Sequence, residues 1–191
     1  MKKLSRAFFK RTDTLRIARD LLGKTLVVPD ENGERIAGMI VETEAYLGEK
    51  DKAAHAYKNR RTKRTEILYG PGGFAYIFLI YGIYNQLNFS VGEIDVPHCI
   101  LIRGVKPLEG IEIMRRRRGK MKDENLTSGP GKLCIAFDID RTFYGEDLLG
   151  KRIWLEEGIK VANGQIVKGK RIGIDYAEEY ADKPWRFCLK Q

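Results

Sequence analysis

Met39-Ile40-Val41-Glu42-Thr43-Glu44-Ala45-Tyr46 opens as an apolar run and then turns polar at every second position. The opening reads as a strand entering a core. If that strand runs on to Tyr46, Glu42, Glu44 and Tyr46 point to one face, and Val41, Thr43 and Ala45 to the other. A charged face on so apolar a strand is either an edge strand with solvated glutamates or a site. His55, one of two histidines in the chain, follows within a dozen residues of Glu44. A carboxylate, an aromatic ring and an imidazole that close in sequence are the parts of a pocket for a flat, polar ring.

Upstream, Thr12 or Asp13 can cap a helix whose apolar positions are Leu15, Ala18, Leu21 and Leu22, with Gly23 as its stop. Thr25 to Val28 reads as a strand. Pro29-Asp30-Glu31-Asn32-Gly33 then turns the chain back into the strand carrying Glu44, which starts an antiparallel sheet.

Downstream, Lys58, Arg60, Arg61, Lys63 and Arg64 form a basic loop. It is either a solvated surface or a set of phosphate contacts. After Gly70-Pro71-Gly72-Gly73, the residues Phe74, Tyr76 and Phe78 alternate with Ala75, Ile77 and Leu79 as in a strand, and Tyr76 is expected in the core. Tyr81-Gly82 interrupts, and Ile83 to Ser90 resumes as a second strand with Tyr84, Gln86, Asn88 and Ser90 on one face. Pro97 to Arg103 is a further apolar strand ending in a lone arginine, which needs a partner if it is buried. Pro107 is expected to open a helix with Ile111 and Met114 inside and Arg115 to Arg118 at its C-terminus, where the arginines suit the macrodipole or phosphates. Leu126 to Leu133 is a small-residue loop running into a helix, a place for an anion, without the spacing of a nucleotide-binding P-loop. Short strands are expected near Ile153-Trp154-Leu155, Arg171 to Ile174 and Trp185 to Leu189.

These elements predict an α+β fold over residues 1–191. It is one compact domain with a mostly antiparallel, curved sheet, peripheral helices and a protruding aromatic hairpin. The chain has 191 residues, 35 Lys and Arg against 26 Asp and Glu, and a net charge of +9, a balance that favours a polyanionic partner. Cys99, Cys134 and Cys188 lie far apart in apolar settings, as buried free thiols would in a reducing compartment. No clustered ligands suggest a metal, and no cofactor is expected. No stretch is long enough to span a bilayer or resembles a signal peptide. The expected location is therefore intracellular and cytoplasmic, with nuclear residence in a eukaryote.

Taken together, Val41-Glu42-Thr43-Glu44-Ala45-Tyr46, Ala53-Ala54-His55, Tyr81-Gly82 with Asn88, Leu101-Ile102-Arg103 and Ser128-Gly129-Pro130-Gly131-Lys132-Leu133 resemble the 3-methyladenine (alkylpurine) DNA glycosylases of the alkyladenine glycosylase family. The motifs keep the family's order from about Leu15 to the final strand. The resemblance implies that Glu44 is the general base activating a water against the sugar C1′, with Arg103 and the main chain near His55 helping to hold water and flipped base. It implies that Tyr46 stacks on one face of that base and His55 with Phe78 on the other, and that Asn88 crowds the exocyclic amine of normal guanine. Tyr81 would be the wedge that fills the gap left in the duplex, and Ile83, Tyr84, Arg64, Ser128 and Lys132 would lie at the DNA. The implied partner is duplex DNA containing damaged purines, met by a monomer without metal or cofactor. Phe78 stands where tyrosine is common, and Ile83 where methionine is frequent. Leu68-Tyr69, Asn85 and Gln86 also depart from the pattern. The Glu44, Tyr46 and His55 cluster itself includes no lysine to form a Schiff base, so a monofunctional hydrolase is expected. A non-catalytic binder of duplex DNA, or of RNA through its aromatic strand, is the alternative.

Overall fold

The computed structural model describes residues 1–119 and 122–190. Helix α1 (Arg6–Phe9) and helix α2 (Thr14–Asp20) lead into strand β1 (Thr25–Pro29). Asp13, rather than Thr12, caps α2 by accepting the Arg16 amide at 2.9 Å. Ile17, Ala18, Leu21 and Leu22 are buried, while Leu15 sits at the edge of the core. Gly23 follows with φ +84°, and a Cβ there would lie 2.7 Å from the Ile159 carbonyl, so both conformation and space call for glycine.

The chain continues through β2 (Arg35–Tyr46), β3 (Ala75–Ile80), β4 (Tyr84–Val91), β5 (His98–Glu109), α3 (Ile111–Arg118), α4 (Pro130–Phe137), β6 (Trp154–Glu156), β7 (Ile166–Gly169) and β8 (Arg186–Leu189). Among the described residues these eight strands join one open sheet in the order β3-β4-β5-β2-β1-β6, with β8 added to β2 and β7 to β8, and the pairings are antiparallel. The fold is α+β, as predicted.

Long strand β2 organises this sheet. Along one side it pairs with β5; along the other its first half pairs with β1 and its second half, Glu42 to Glu44, with β8. Glu42 and Glu44 are therefore in a sheet interior and not on a solvated edge. One face of the sheet carries Ala45, Ile77, Leu87, Phe89, Ile100, Ile102 and Phe187, which join the main core with Leu133 and Phe137 of α4.

Three expectations are corrected. Pro107 does not open a helix: it pairs with Gly38 inside β5, and α3 begins only at Ile111, after Gly110 at φ +71°. Among the described residues β4 pairs with β5 only as far as Leu101, and past the single bridge of Gly104 to Ser128 no strand covers that side, an edge on which a residue without an N–H is tolerated. Arg171 to Ile174 is not a strand; β7 ends at Gly169, and Gly173 takes φ +76°, outside the strand region. Cys99 and Cys134 are buried thiols, but Cys188 is only partly buried. Among the described residues no helix is long and apolar enough to cross a membrane.

Candidate active site

Register decides which side chains meet. Glu44 pairs with Leu101 and Leu101 with Asn88; Asn88 pairs with Tyr76 and Gln86 with Phe78; Tyr46 pairs with Cys99. Opposed residues of antiparallel strands share a face. Glu44, Tyr46, Tyr76, Phe78, Gln86 and Asn88 therefore all project from the sheet face opposite the main core. The segments around His55 and after Gly169 close over that face.

The ladder between β2 and β5 slips twice there. Ile40 opposes Val105, Glu42 opposes Gly104 and Thr43 opposes Ile102, which leaves Val41 and Arg103 unmatched. Bulges bend a strand and re-aim its side chains. Here Arg103 is brought to both carboxylates, its Nε 3.1 Å from Glu42 Oε1 and 3.4 Å from Glu44 Oε1. Glu42 also accepts from Arg186 of β8 at 3.1 Å.

Glu44 is 0% exposed. Its Oε1 accepts the Ile172 amide at 2.9 Å and its Oε2 the Tyr46 hydroxyl at 2.8 Å. Burial pushes its carboxyl above the usual range, and Arg103, the Ile172 amide and the Tyr46 hydroxyl pull it partly back. Burial and the neighbouring Glu44 hold the Tyr46 phenol well above its ordinary value, so it remains a donor.

In front of this group lies a cavity of about 510 Å³, ample for one nucleobase. Tyr46, His55, Tyr76, Phe78, Asn88 and Arg103 are among its walls. Glu44 itself stands one layer behind, touching Tyr46, Arg103 and Ile172, each of which does line the cavity. His55 meets Phe78 edge-on, ring centroids 4.5 Å apart, and its Nδ1 shares a 2.7 Å hydrogen bond with the Tyr76 hydroxyl. Burial first, and then the charges of Arg64 and Arg60, lower the His55 pKa to about 4. At neutral pH it is a neutral imidazole, with one nitrogen tied to Tyr76 and one left for a ligand. Asn88 is held by its Nδ2, which donates to the Tyr76 and Gln86 carbonyls at 3.3 and 3.2 Å.

The remaining predicted residues divide between mouth and surroundings. Tyr81 and Tyr84 line the mouth from the β3–β4 hairpin, and Lys132 lines it from α4. Tyr81 is 84% exposed at φ +52°, and Ile83 is exposed beside it at the tip, outside the cavity lining. Ser128 is exposed just before α4; the next residue, Gly129, donates its amide to the Arg103 carbonyl at 3.0 Å. Arg64 belongs to a neighbouring basic recess that shares His55 with the cavity. Among the described residues no three His, Cys, Asp or Glu side chains group to hold a metal.

Several lining residues escape sequence reasoning. Tyr76 is buried, as expected of a core residue, yet it also lines the cavity and orients His55. Its place in the alternation with Phe78 was the available signal. Ile172 arrives from the segment misread as a strand, and Tyr176 from the helical turn Asp175–Tyr180 that follows it. Arg171 follows Lys168 and Lys170, a basic run that reads as surface, so nothing in the sequence signals its burial.

A family model described as methylpurine-DNA glycosylase matches residues 7–191. A protein of Clostridium novyi (strain NT) is 48% identical over 198 residues, covering 100% of this chain and 96% of its own length. One from Clostridium acetobutylicum is 49% identical over 196 residues, covering 98% and 94%, and one from Alkaliphilus oremlandii 48% over 197 residues, covering 98% and 96%. All three bear the name "Putative 3-methyladenine DNA glycosylase".

Proposed function

We propose, on the premise that this chain belongs to the methylpurine-DNA glycosylase family and is a DNA glycosylase, that it hydrolyses the N-glycosidic bond of alkylated or deaminated purines flipped out of duplex DNA. A base inside a duplex is out of reach, so an enzyme acting at C1′ extrudes the nucleotide. The hairpin keeps the nucleotide out: Tyr81 fills the vacated stack while the base enters between Tyr46 and the His55–Phe78 pair. Asn88, fixed by its amide nitrogen, crowds the exocyclic amine of guanine.

Glu44 acts as the general base. Its raised pKa suits proton abstraction better than that of an exposed glutamate. The Tyr46 hydroxyl now holds Oε2, and it is the group that yields when water reaches the carboxylate. Arg103 steadies Glu44 and the water. As the sugar gains oxocarbenium character, the Glu44 charge stabilises it. Alkylation at N3 or N7 already leaves the purine positively charged, so its departure needs no strong acid. Lys132, Ser128 and Arg64 contact phosphates. The protein works as a monomer and leaves an intact abasic strand.

A fully buried carboxylate held by two hydrogen bonds and the Arg103 ion pair, directly behind an aromatic cavity, carries this proposal, since a pure binder of a polyanion has no use for it. The test incubates the protein with duplexes containing 3-methyladenine, hypoxanthine or ethenoadenine, then applies alkali. Cleavage only after alkali is expected. Tight binding of the duplexes without abasic sites would favour the non-catalytic alternative. Because Lys132 does line the cavity, borohydride trapping is run beside it; a covalent adduct at a yield near turnover would overturn monofunctional hydrolysis.

A further inference from the structure

Behind the base cavity lies an ion pair that the proposed chemistry does not use. Arg171 and Asp51 are both 0% exposed in their side chains and face each other through two hydrogen bonds, Nη1 to Oδ2 at 2.5 Å and Nη2 to Oδ1 at 2.8 Å. Nη1 also donates to the Ala45 carbonyl at 2.9 Å and Nη2 to the Tyr180 carbonyl at 3.2 Å. The guanidinium lies over the rings of Tyr46 and Trp185, 4.6 and 4.9 Å from their centroids. Asp51 in turn accepts the amides of Leu47 and Ala53.

A buried pair of this kind adds little net stability, because desolvation offsets the attraction. What it does here is join two distant pieces of chain at one point. Each oxygen of Glu44 is held by a group next to that joint. Ile172, whose amide holds Oε1, is the residue after Arg171; Tyr46, whose hydroxyl holds Oε2, follows Ala45 and lies under the guanidinium.

We infer that Arg171, locked by Asp51, is a positioning residue for the hydrolytic step: it sets the orientation of the Glu44 carboxylate and the seat of the Tyr46 ring. The inference rests on Glu44 being the general base. The charged groups facing Glu44 are Glu42 on its own strand, Arg103 from β5 and Arg186 from β8, with the Tyr46 phenol as the nearby titratable group. Arg171 and Asp51 together carry no net charge. Removing both charges thus leaves the net charge around Glu44 unchanged, takes away only the dipole of the pair, and disturbs the donors. Those donors stabilise the ionised carboxylate, so their loss raises its pKa.

The test compares Arg171→Lys and the double variant Asp51→Asn/Arg171→Met with the unaltered chain and Glu44→Gln. Single-turnover release of methylpurines from dimethyl sulfate-treated duplex is measured across pH, together with melting and duplex affinity. Lysine keeps the charge but cannot span both Asp51 oxygens and two carbonyls, so Arg171→Lys decides the matter if the double variant does not fold. The expected result is a fall of about tenfold to a hundredfold in release, duplex affinity within about threefold, and an acid limb displaced to higher pH. Release and acid limb both matching the unaltered chain, with Glu44→Gln inactive, would overturn the positioning role alone. So would a rate loss that only tracks the unfolded fraction, with the acid limb unmoved. Substantial release by Glu44→Gln would instead remove the general base, and this inference with it.

Discussion

On the proposed mechanism, Glu44 costs the fold what it gives the reaction. Its carboxyl is raised above the 4.5 of an unperturbed glutamate, chiefly by burial, so the folded chain binds that proton more tightly than the unfolded one. Stability then falls as pH rises from 4.5 through the raised value, and the penalty is complete above it. Glu44→Gln should therefore melt at or above the temperature of the unaltered chain while base release is abolished. Release within about tenfold of the unaltered rate, roughly 1.4 kcal/mol in barrier, or a marked drop in melting temperature, would contradict this. His55 has the opposite sign. Its folded pKa of about 4 lies below the unperturbed 6.5, so its contribution is complete above pH 6.5 and is lost as pH falls through 4. The loss is on the order of 3 kcal/mol. His98 is lowered too, so the informative measurement is the difference between unaltered chain and His55→Gln in urea-unfolding free energy from pH 7 to 4. Equal slopes for the two would show that His55 is not buried neutral.

On the proposed mechanism, the β3–β4 hairpin is the element on which capture of the base depends. Its turn closes with the Ile83 amide on the Ile80 carbonyl at 3.2 Å, and both central residues have positive φ, Tyr81 at +52° and Gly82 at +71°. That sign pattern belongs to the tight turn matching the twist of paired strands, which favours asparagine and glycine over tyrosine. An aromatic that is both strained and exposed there is unexplained by stability. Tyr81→Asn should leave melting unchanged or slightly raised and weaken release, more from well-paired lesions than from lesions opposite a gap, where unpairing is already cheap. Single-turnover rates on the two duplexes test this; equal losses on both, or a large melting loss, would move the wedge to Ile83. Local patterns of this kind were legible in the sequence: the alternation of β2, the aromatic strand, the capped α2 and the interrupting Tyr81-Gly82 each depend on neighbours a few residues away. What was not legible depends on distant partners. The double slip that aims Arg103 is a property of two strands together. The Arg171–Asp51 contact joins residues 120 positions apart. Pro107 was misread because a rule about helix starts competed with an open sheet edge.

At the scale of the molecule, a net charge of +9 predicts affinity for DNA that weakens steeply with salt, and Lys132→Ala should reduce the slope of log K against log salt by about one. Binding titrations between low and moderate salt measure it; an unchanged slope would place Lys132 off the phosphates. The sheet's connectivity has a further consequence for how the protein comes into being. The half of β2 that carries Glu44 is walled in by β8, and Ile172, which holds its carboxylate, comes 128 residues later. A ribosome therefore makes the hairpin and the basic loops long before it makes the wall behind Glu44. On the proposed mechanism, a polypeptide ended early by a stop codon or stalled translation keeps Glu44 and Arg103 but lacks the amide and the strand that hold them in place. An unfinished copy is therefore expected not to scatter abasic sites through the genome.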